Sequence, residues 1–129
     1  MSEKIYVDTN VWLDYLLQRT SAYEDFQDYA LRILQRTLSC EFVIVVSDIV
    51  IYEIKKYIDT DFLKDFSHKI EFVKATKEHK EISKNISIHF PDNLHVAIAL
   101  QEKCMCIITN DIEMRCLKEH IKIIASRDL

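Results

Sequence analysis

The chain has 129 residues, nearly half of them apolar, and a formal net charge of −4. That length and apolar fraction suit one domain with a single core, and the mixed charges argue against a disordered chain. An acidic balance is wrong for gripping nucleic acid by its phosphates alone, so a phosphodiester substrate would call for a cation to neutralise the surface near it.

Lys4–Val7 is the first predicted strand, and Asp8 directly follows it. Ser21 and Glu24 have the spacing of a capping box. After them Phe26, Ala30, Ile33, Leu34 and Thr37 share one face of a helix ending near Ser39. Phe42–Val46 is a continuous Val- and Ile-rich run, the mark of a strand covered on both faces. Ser47 caps a predicted helix reaching about Ile58, and Asp59–His68 forms another, shorter one. Lys69–Lys74 is a third strand. Thr76 to about Ser87 is polar, so that helix is placed on the surface. Pro91 stands just before Asp92–Lys103, which is apolar nearly all round and predicts a buried helix. Met105–Thr109 is a fourth strand, Ile112–His120 a last helix and Ile121–Ala125 a fifth strand. This alternation predicts a single α/β domain over residues 1–129, a three-layer sandwich around a mainly parallel five-stranded sheet.

Several classes are excluded. Glycine is absent altogether, so no Gly-rich loop cradles a phosphate and neither a P-loop NTPase nor a dinucleotide-binding fingerprint fits. The N-terminus has no basic start leading into a long apolar stretch, and no uncharged run is long enough to cross a bilayer, so a cytoplasmic protein without membrane contact is expected. The C-x-C pair Cys104 and Cys106 lacks zinc-knuckle spacing. With Cys40 and Cys116 it reads as buried thiols in a reducing compartment, without a structural disulfide.

In a parallel α/β sheet, ligands bind beyond the carboxyl ends of the strands. Asp8 and Asp111 follow predicted strands, and Asp92 opens the buried helix. Each also stands where a helix begins, so capping is the competing explanation for any one of them. Glu53 is different: it shares an apolar stripe with Ile49, Val50, Ile54 and Tyr57, about two turns into its helix, where it cannot be a cap. A carboxylate there needs either a basic partner or a shared metal ion. Four converging carboxylates would raise one another's pKa values unless a cation sat among them, and oxygen-only ligands suit Mg2+ or Mn2+. On that reading Glu53→Gln relieves repulsion and the metal-free variant melts higher; were Glu53 salt-bridged instead, it would melt lower.

Val7-Asp8-Thr9-Asn10 resembles the opening motif of PIN domains. Ser47 followed by Glu53 resembles their second acidic motif, and the block from Asp92 to Asp111 resembles their third and fourth. The similarity spans nearly the whole chain. It implies a parallel sheet with an acidic pocket and Mg2+- or Mn2+-dependent cleavage of RNA, with Asp8, Glu53, Asp92 and Asp111 as the catalytic and metal-binding acids. Asn10, Thr109 and Asn110 would support those acids or touch substrate. Small stand-alone members resemble the toxin halves of toxin–antitoxin pairs, which implies an antitoxin partner and a homodimer. Two features depart from the family pattern: Met114 stands where an aromatic residue often follows the last Asp, and no glycine-containing turn follows Glu53.

His95, one turn after Asp92, reads as a satisfied interior group rather than a catalytic base. Lys55 and Lys56 read as a solvated helix face, and Asp14 and Glu113 as surface charges. A phospho-receiver domain shares the length, fold class and Mg2+ pocket, but it wants paired acids after the first strand and an acceptor Asp after the third, which this chain lacks. A PIN-like binding module without activity is the other alternative.

Overall fold

The computed structural model describes residues 3–86 and 90–129. Its strands are β1 (Glu3–Val7), β2 (Phe42–Ser47), β3 (Ile70–Val73), β4 (Cys106–Ile108) and β5 (Ile123–Ile124). They form one all-parallel sheet in the order β3-β2-β1-β4-β5. The helices are α1 (Thr9–Leu16), α2 (Phe26–Leu38), α3 (Asp48–Lys55), α4 (Lys77–Lys84) and α5 (Asp92–Gln101).

The strand order dictates the layers. The chain steps from β1 to β2 to β3 in one direction, then returns across the sheet to β4 and β5. Right-handed crossovers therefore place α1, α2 and α3 on one face and α4 and α5 on the other. The packing agrees: α1 touches α2 and α3, whereas α4 packs on α5. A sheet covered on both faces must be apolar throughout its centre. Ile5, Tyr6, Ile44, Val45, Val46, Ile107 and Ile108 are accordingly all fully buried. Strand order reverses between β1 and β4, and their carboxyl ends open a crevice at that switch point.

Helix α5 is wholly interior from Asn93 to Ala99, as its all-round apolarity predicts. Other elements depart from expectation. Ser21 does not cap α2; its hydroxyl accepts from Tyr23 N and Glu24 N in a preceding turn, and Asp25 caps the helix by accepting from Asp28 N. The Asp25 carboxylate is one residue from the helix start and is the stronger acceptor. Helix α3 begins at its Ser47 cap but stops at Lys55, so Tyr57 leaves the apolar stripe and is exposed. The segments expected as helices over 59–68 and 112–120 wind more tightly, as 3₁₀ helices Phe62–Lys69 and Ile112–Leu117. Thr76 and His79 cap α4 reciprocally; the helix buries His79 and Ser83, and the Ser87 end expected for it lies outside the described residues. No disulfide joins the cysteines, of which Cys104 and Cys106 are buried while Cys40 and Cys116 are exposed rather than interior. No helix among the described residues is long and apolar enough to cross a membrane.

Candidate active site

Asp8, Glu53, Asp92 and Asp111 line one cavity of about 250 Å3 at the switch point, together with His95, Arg19 and Lys56 among others. Asp8 leaves the end of β1 and is buried. Its Oδ1 accepts from Thr9 N at 2.8 Å, so the capping explanation is realised at the start of α1. Its Oδ2 is held independently of the cap, by the Thr109 hydroxyl at 2.8 Å and by Asn10 Nδ2 at 3.1 Å. Asp111 also caps a helix, accepting from Glu113 N at 3.0 Å. Asp92 does not: Pro91 holds the cap position and Asp92 is the first residue inside α5. Helix capping therefore leaves Asp92 unexplained.

Glu53 is held by a buried chain of polar groups. Its Oε1 accepts from the Thr9 hydroxyl at 2.9 Å and pairs with His95 Nε2 at 3.0 Å. His95 Nδ1 meets the Tyr6 hydroxyl at 2.5 Å, and Tyr6 meets Ser47 Oγ at 2.8 Å. With His95 as imidazolium both ring nitrogens donate, and the Tyr6 proton goes to Ser47. Burial is the largest influence on His95 and favours the neutral ring. The hydrogen bond to Glu53 and the charges of Asp8, Glu53 and Asp92 outweigh it and raise the imidazole pKa above its usual 6.5. For Glu53, burial likewise pushes upward, but His95, the Thr9 hydroxyl and Lys56 together hold its carboxyl below the ordinary 4.5. The partner expected for a carboxylate in an apolar stripe is thus a buried histidine.

Asp92 feels the opposite field. Burial and the negative charges of Asp111, Asp8 and Glu113 raise its pKa, and the charge of His95 opposes them. The four acids surround the cavity rather than meeting at one point: among the described residues, no group of three or more His, Cys, Asp or Glu side chains is close enough to hold a metal ion as it stands. Local donors explain the spacing, because Asp8, Glu53 and Asp111 each have oxygens committed to neighbours. The donor set itself is oxygen-rich and uncompensated at Asp92, which fits a hard divalent cation.

The neighbouring polar residues divide. Asn10 lines the cavity and bridges Asp8 and Thr109. Thr109 is fully buried; its hydroxyl donates to Asp8 Oδ2 and accepts from Asn10 Nδ2 and from Asp111 N. Asn110 lies outside the cavity, where its side chain ties Asp14 to Ser126 and its backbone N–H donates to Asn10 Oδ1. Asp14 is buried rather than on the surface, and burial raises its carboxyl pKa against Asn110 and Arg19. Glu113 is exposed, as expected. Sequence reasoning did not place Arg19 or Tyr57 at the cavity and assigned Lys56 to solvent.

The chain is thus an all-parallel α/β domain with an acidic crevice at its switch point, the place where such sheets bind ligands. Within it, the PIN domain family model matches residues 4–113, and the chain belongs to that family, a family of nucleases. No curated protein matches the sequence. Among solved structures, the fold is similar to VapBC2 from Rickettsia felis bound to a DNA fragment from its promoter (TM-score 0.64, 14% identity, covering 95% of this chain and 98% of the other). It is also similar to a toxin–antitoxin complex from Klebsiella pneumoniae (0.65, 16%, 97% and 99%). The PIN domain endonuclease Utp24 is a third (0.56, 20%, 95% and 84%).

Proposed function

We propose that the protein is a Mg2+- or Mn2+-dependent endoribonuclease of the cytoplasm and the toxin of a toxin–antitoxin pair. The observation that carries the reading is that, in a PIN-family chain, Asp8, Glu53, Asp92 and Asp111 line one cavity. A bound divalent cation supplies the Lewis acidity that makes water a nucleophile and shields the phosphate from the acids. The protein's own groups orient the reaction. Thr109 and Asn10 fix Asp8, while Thr9 and His95 fix Glu53 through Oε1. Arg19 and Lys56 bring cationic groups to the cavity wall, where an acidic protein needs them to hold phosphates. Water attacks phosphorus in line, the bond to the 3′ oxygen breaks, and that oxygen leaves with a proton. The products carry a 5′-phosphate and a 3′-hydroxyl.

The test is incubation of the purified protein with assorted RNAs in Mn2+ and in EDTA. Cleavage in Mn2+ alone, abolished by Asp8→Asn in a folded protein, is expected. Undiminished cleavage in EDTA or by Asp8→Asn refutes the mechanism, and no cleavage of any RNA favours a binding module. The partner is proposed to be an antitoxin protein, in line with the two toxin–antitoxin structures above, acting on a homodimer. Growth arrest on expression, relieved by the product of a neighbouring gene, tests it.

A further inference from the structure

A second depression, of about 360 Å3, adjoins the acidic cavity, and Glu53 and Lys56 line both. Its other walls include Ile49, Tyr52, Phe90 and Pro91. Tyr52 and Phe90 are 66% and 73% exposed, so two large rings face solvent beside a site that is otherwise charged. Packing requires neither of them, and elsewhere single exposed apolar side chains are unremarkable. Here two converge on one groove. Lys56 Nζ stands 4.8 Å from the centre of the Tyr52 ring. The groove thus presents aromatic faces with a cation at its junction with the acidic cavity.

That combination recognises a particular chemistry. Single-stranded nucleic acid is held by stacking its bases on aromatic rings while cations follow its phosphates, and stacking tolerates any base because every base has a π-face. Resting on the ribonuclease reading above, we infer that the groove of Tyr52 and Phe90 is a base-stacking subsite. It takes an unpaired nucleobase of the RNA next to the scissile phosphate, with Lys56 on the phosphate between the two depressions. The occupant is argued from continuity with the acidic cavity. A paired base presents no free face, so the subsite selects single-stranded over duplex RNA. Tyr52 and Phe90 are specificity-determining residues on this account and take no part in bond breaking.

The test measures affinity for a short single-stranded RNA in Ca2+, used in place of Mn2+ to read binding without cleavage. It is repeated with a set of the same RNA carrying one abasic nucleotide at each position in turn. One abasic position should weaken binding by roughly tenfold, as loss of one base–aromatic stack does. Tyr52→Ala should bind the intact RNA about as weakly and lose no more at that position, while Tyr52→Phe, which keeps the ring, restores both. Intact RNA bound equally by the unmodified protein, Tyr52→Ala and Phe90→Ala overturns the subsite alone and leaves the groove to a protein partner. RNA that neither binds nor is cleaved by the unmodified protein overturns the ribonuclease reading as well.

Discussion

Glu53→Gln, melted without metal, separates two physical descriptions of the site. If like-charge repulsion governed Glu53, neutralising it would stabilise the protein, as the sequence alone suggests. The structure reverses the sign. The His95 hydrogen bond and charge, the Thr9 hydroxyl and the Lys56 charge together hold the Glu53 carboxylate ionised against its burial. Gln keeps an acceptor for Thr9 and for His95 Nε2, so the hydrogen bonds survive in neutral form. What is lost is the difference between a charge-assisted and a neutral hydrogen bond beside a fully buried imidazolium. That is about 1–2 kcal/mol, below the cost of stripping a buried ion pair of one partner, because Asp8 remains 3.9 Å from Nε2. For a chain of this size the melting temperature should fall by about 4–8 °C.

The pH dependence follows from the two shifts. Glu53, held below 4.5, contributes stability that is present above that value and lost as pH falls through its folded pKa. His95, raised above 6.5, contributes stability that is complete below that value and lost as pH rises through its folded pKa. The pair is therefore fully charged between about pH 4.5 and 6.5, and the gap between the two proteins should be widest near pH 5.5 and narrow toward pH 9. Calorimetry or circular dichroism melts in EDTA across that range measure it. A variant that melts at or above the unmodified protein at pH 5.5 refutes the ion pair.

Asp92→Asn should do the reverse, raising the metal-free melting temperature by an amount on the order of 1 kcal/mol, because burial and Asp111, Asp8 and Glu113 all oppose its charge; the gain should vanish in saturating Mn2+, and a lower melting point in EDTA would contradict it. Lys56→Ala and Arg19→Ala should each weaken RNA binding and reduce the slope of log affinity against log salt by about 0.7, the value for one single-strand phosphate contact. An unchanged slope would show that the side chain makes no phosphate contact, and for Lys56 would return it to the solvated helix face that the sequence suggests.

Sequence reasoning reached the parts of the fold that short-range pattern controls. The apolar runs of β1, β2 and β4 and the all-round apolarity of α5 leave no surface alternative, so the sheet and its central helix follow from them. Placing Asp8 and Asp111 needed only the rule that parallel strands present their carboxyl ends to ligands. The interior wiring of the site was not legible, because it joins residues far apart along the chain. Tyr6 reads as one more strand residue, yet its hydroxyl meets a histidine 89 positions away. Asp14 reads as a surface charge because its partner Asn110 is 96 positions on. The tightly wound segments over 62–69 and 112–117 read as ordinary helices in the sequence because, over six to eight residues, periods of 3.0 and 3.6 place side chains almost alike.

The absence of glycine excludes phosphate-cradling loops, and it also leaves a mark on the backbone. Helices α1, α2 and α5 each end on a residue in the left-handed conformation, Gln18 (φ 53°), Cys40 (φ 68°) and Lys103 (φ 60°). All three stand one place beyond the cap. Each is followed by the paired hydrogen bonds of a Schellman motif, as in Lys103 N to Leu100 O at 3.1 Å and Cys104 N to Ala99 O at 2.9 Å. The same arrangement after α1 sends Arg19 N to Asp14 O and delivers the Arg19 side chain to the cavity. A residue with a Cβ there carries a penalty of roughly 1–2 kcal/mol that glycine does not, while glycine's extra unfolded-state freedom costs about 0.5–1 kcal/mol. Lys103 is exposed and lies outside the cavity, so Lys103→Gly isolates the backbone effect. It should stabilise the protein by several tenths to about 1 kcal/mol. Lys103→Ala, which keeps a Cβ in the same conformation, should gain nothing. Chemical denaturation of the three proteins measures the difference, and equal midpoints for the Gly and Ala variants would show that the left-handed closure exacts no such penalty.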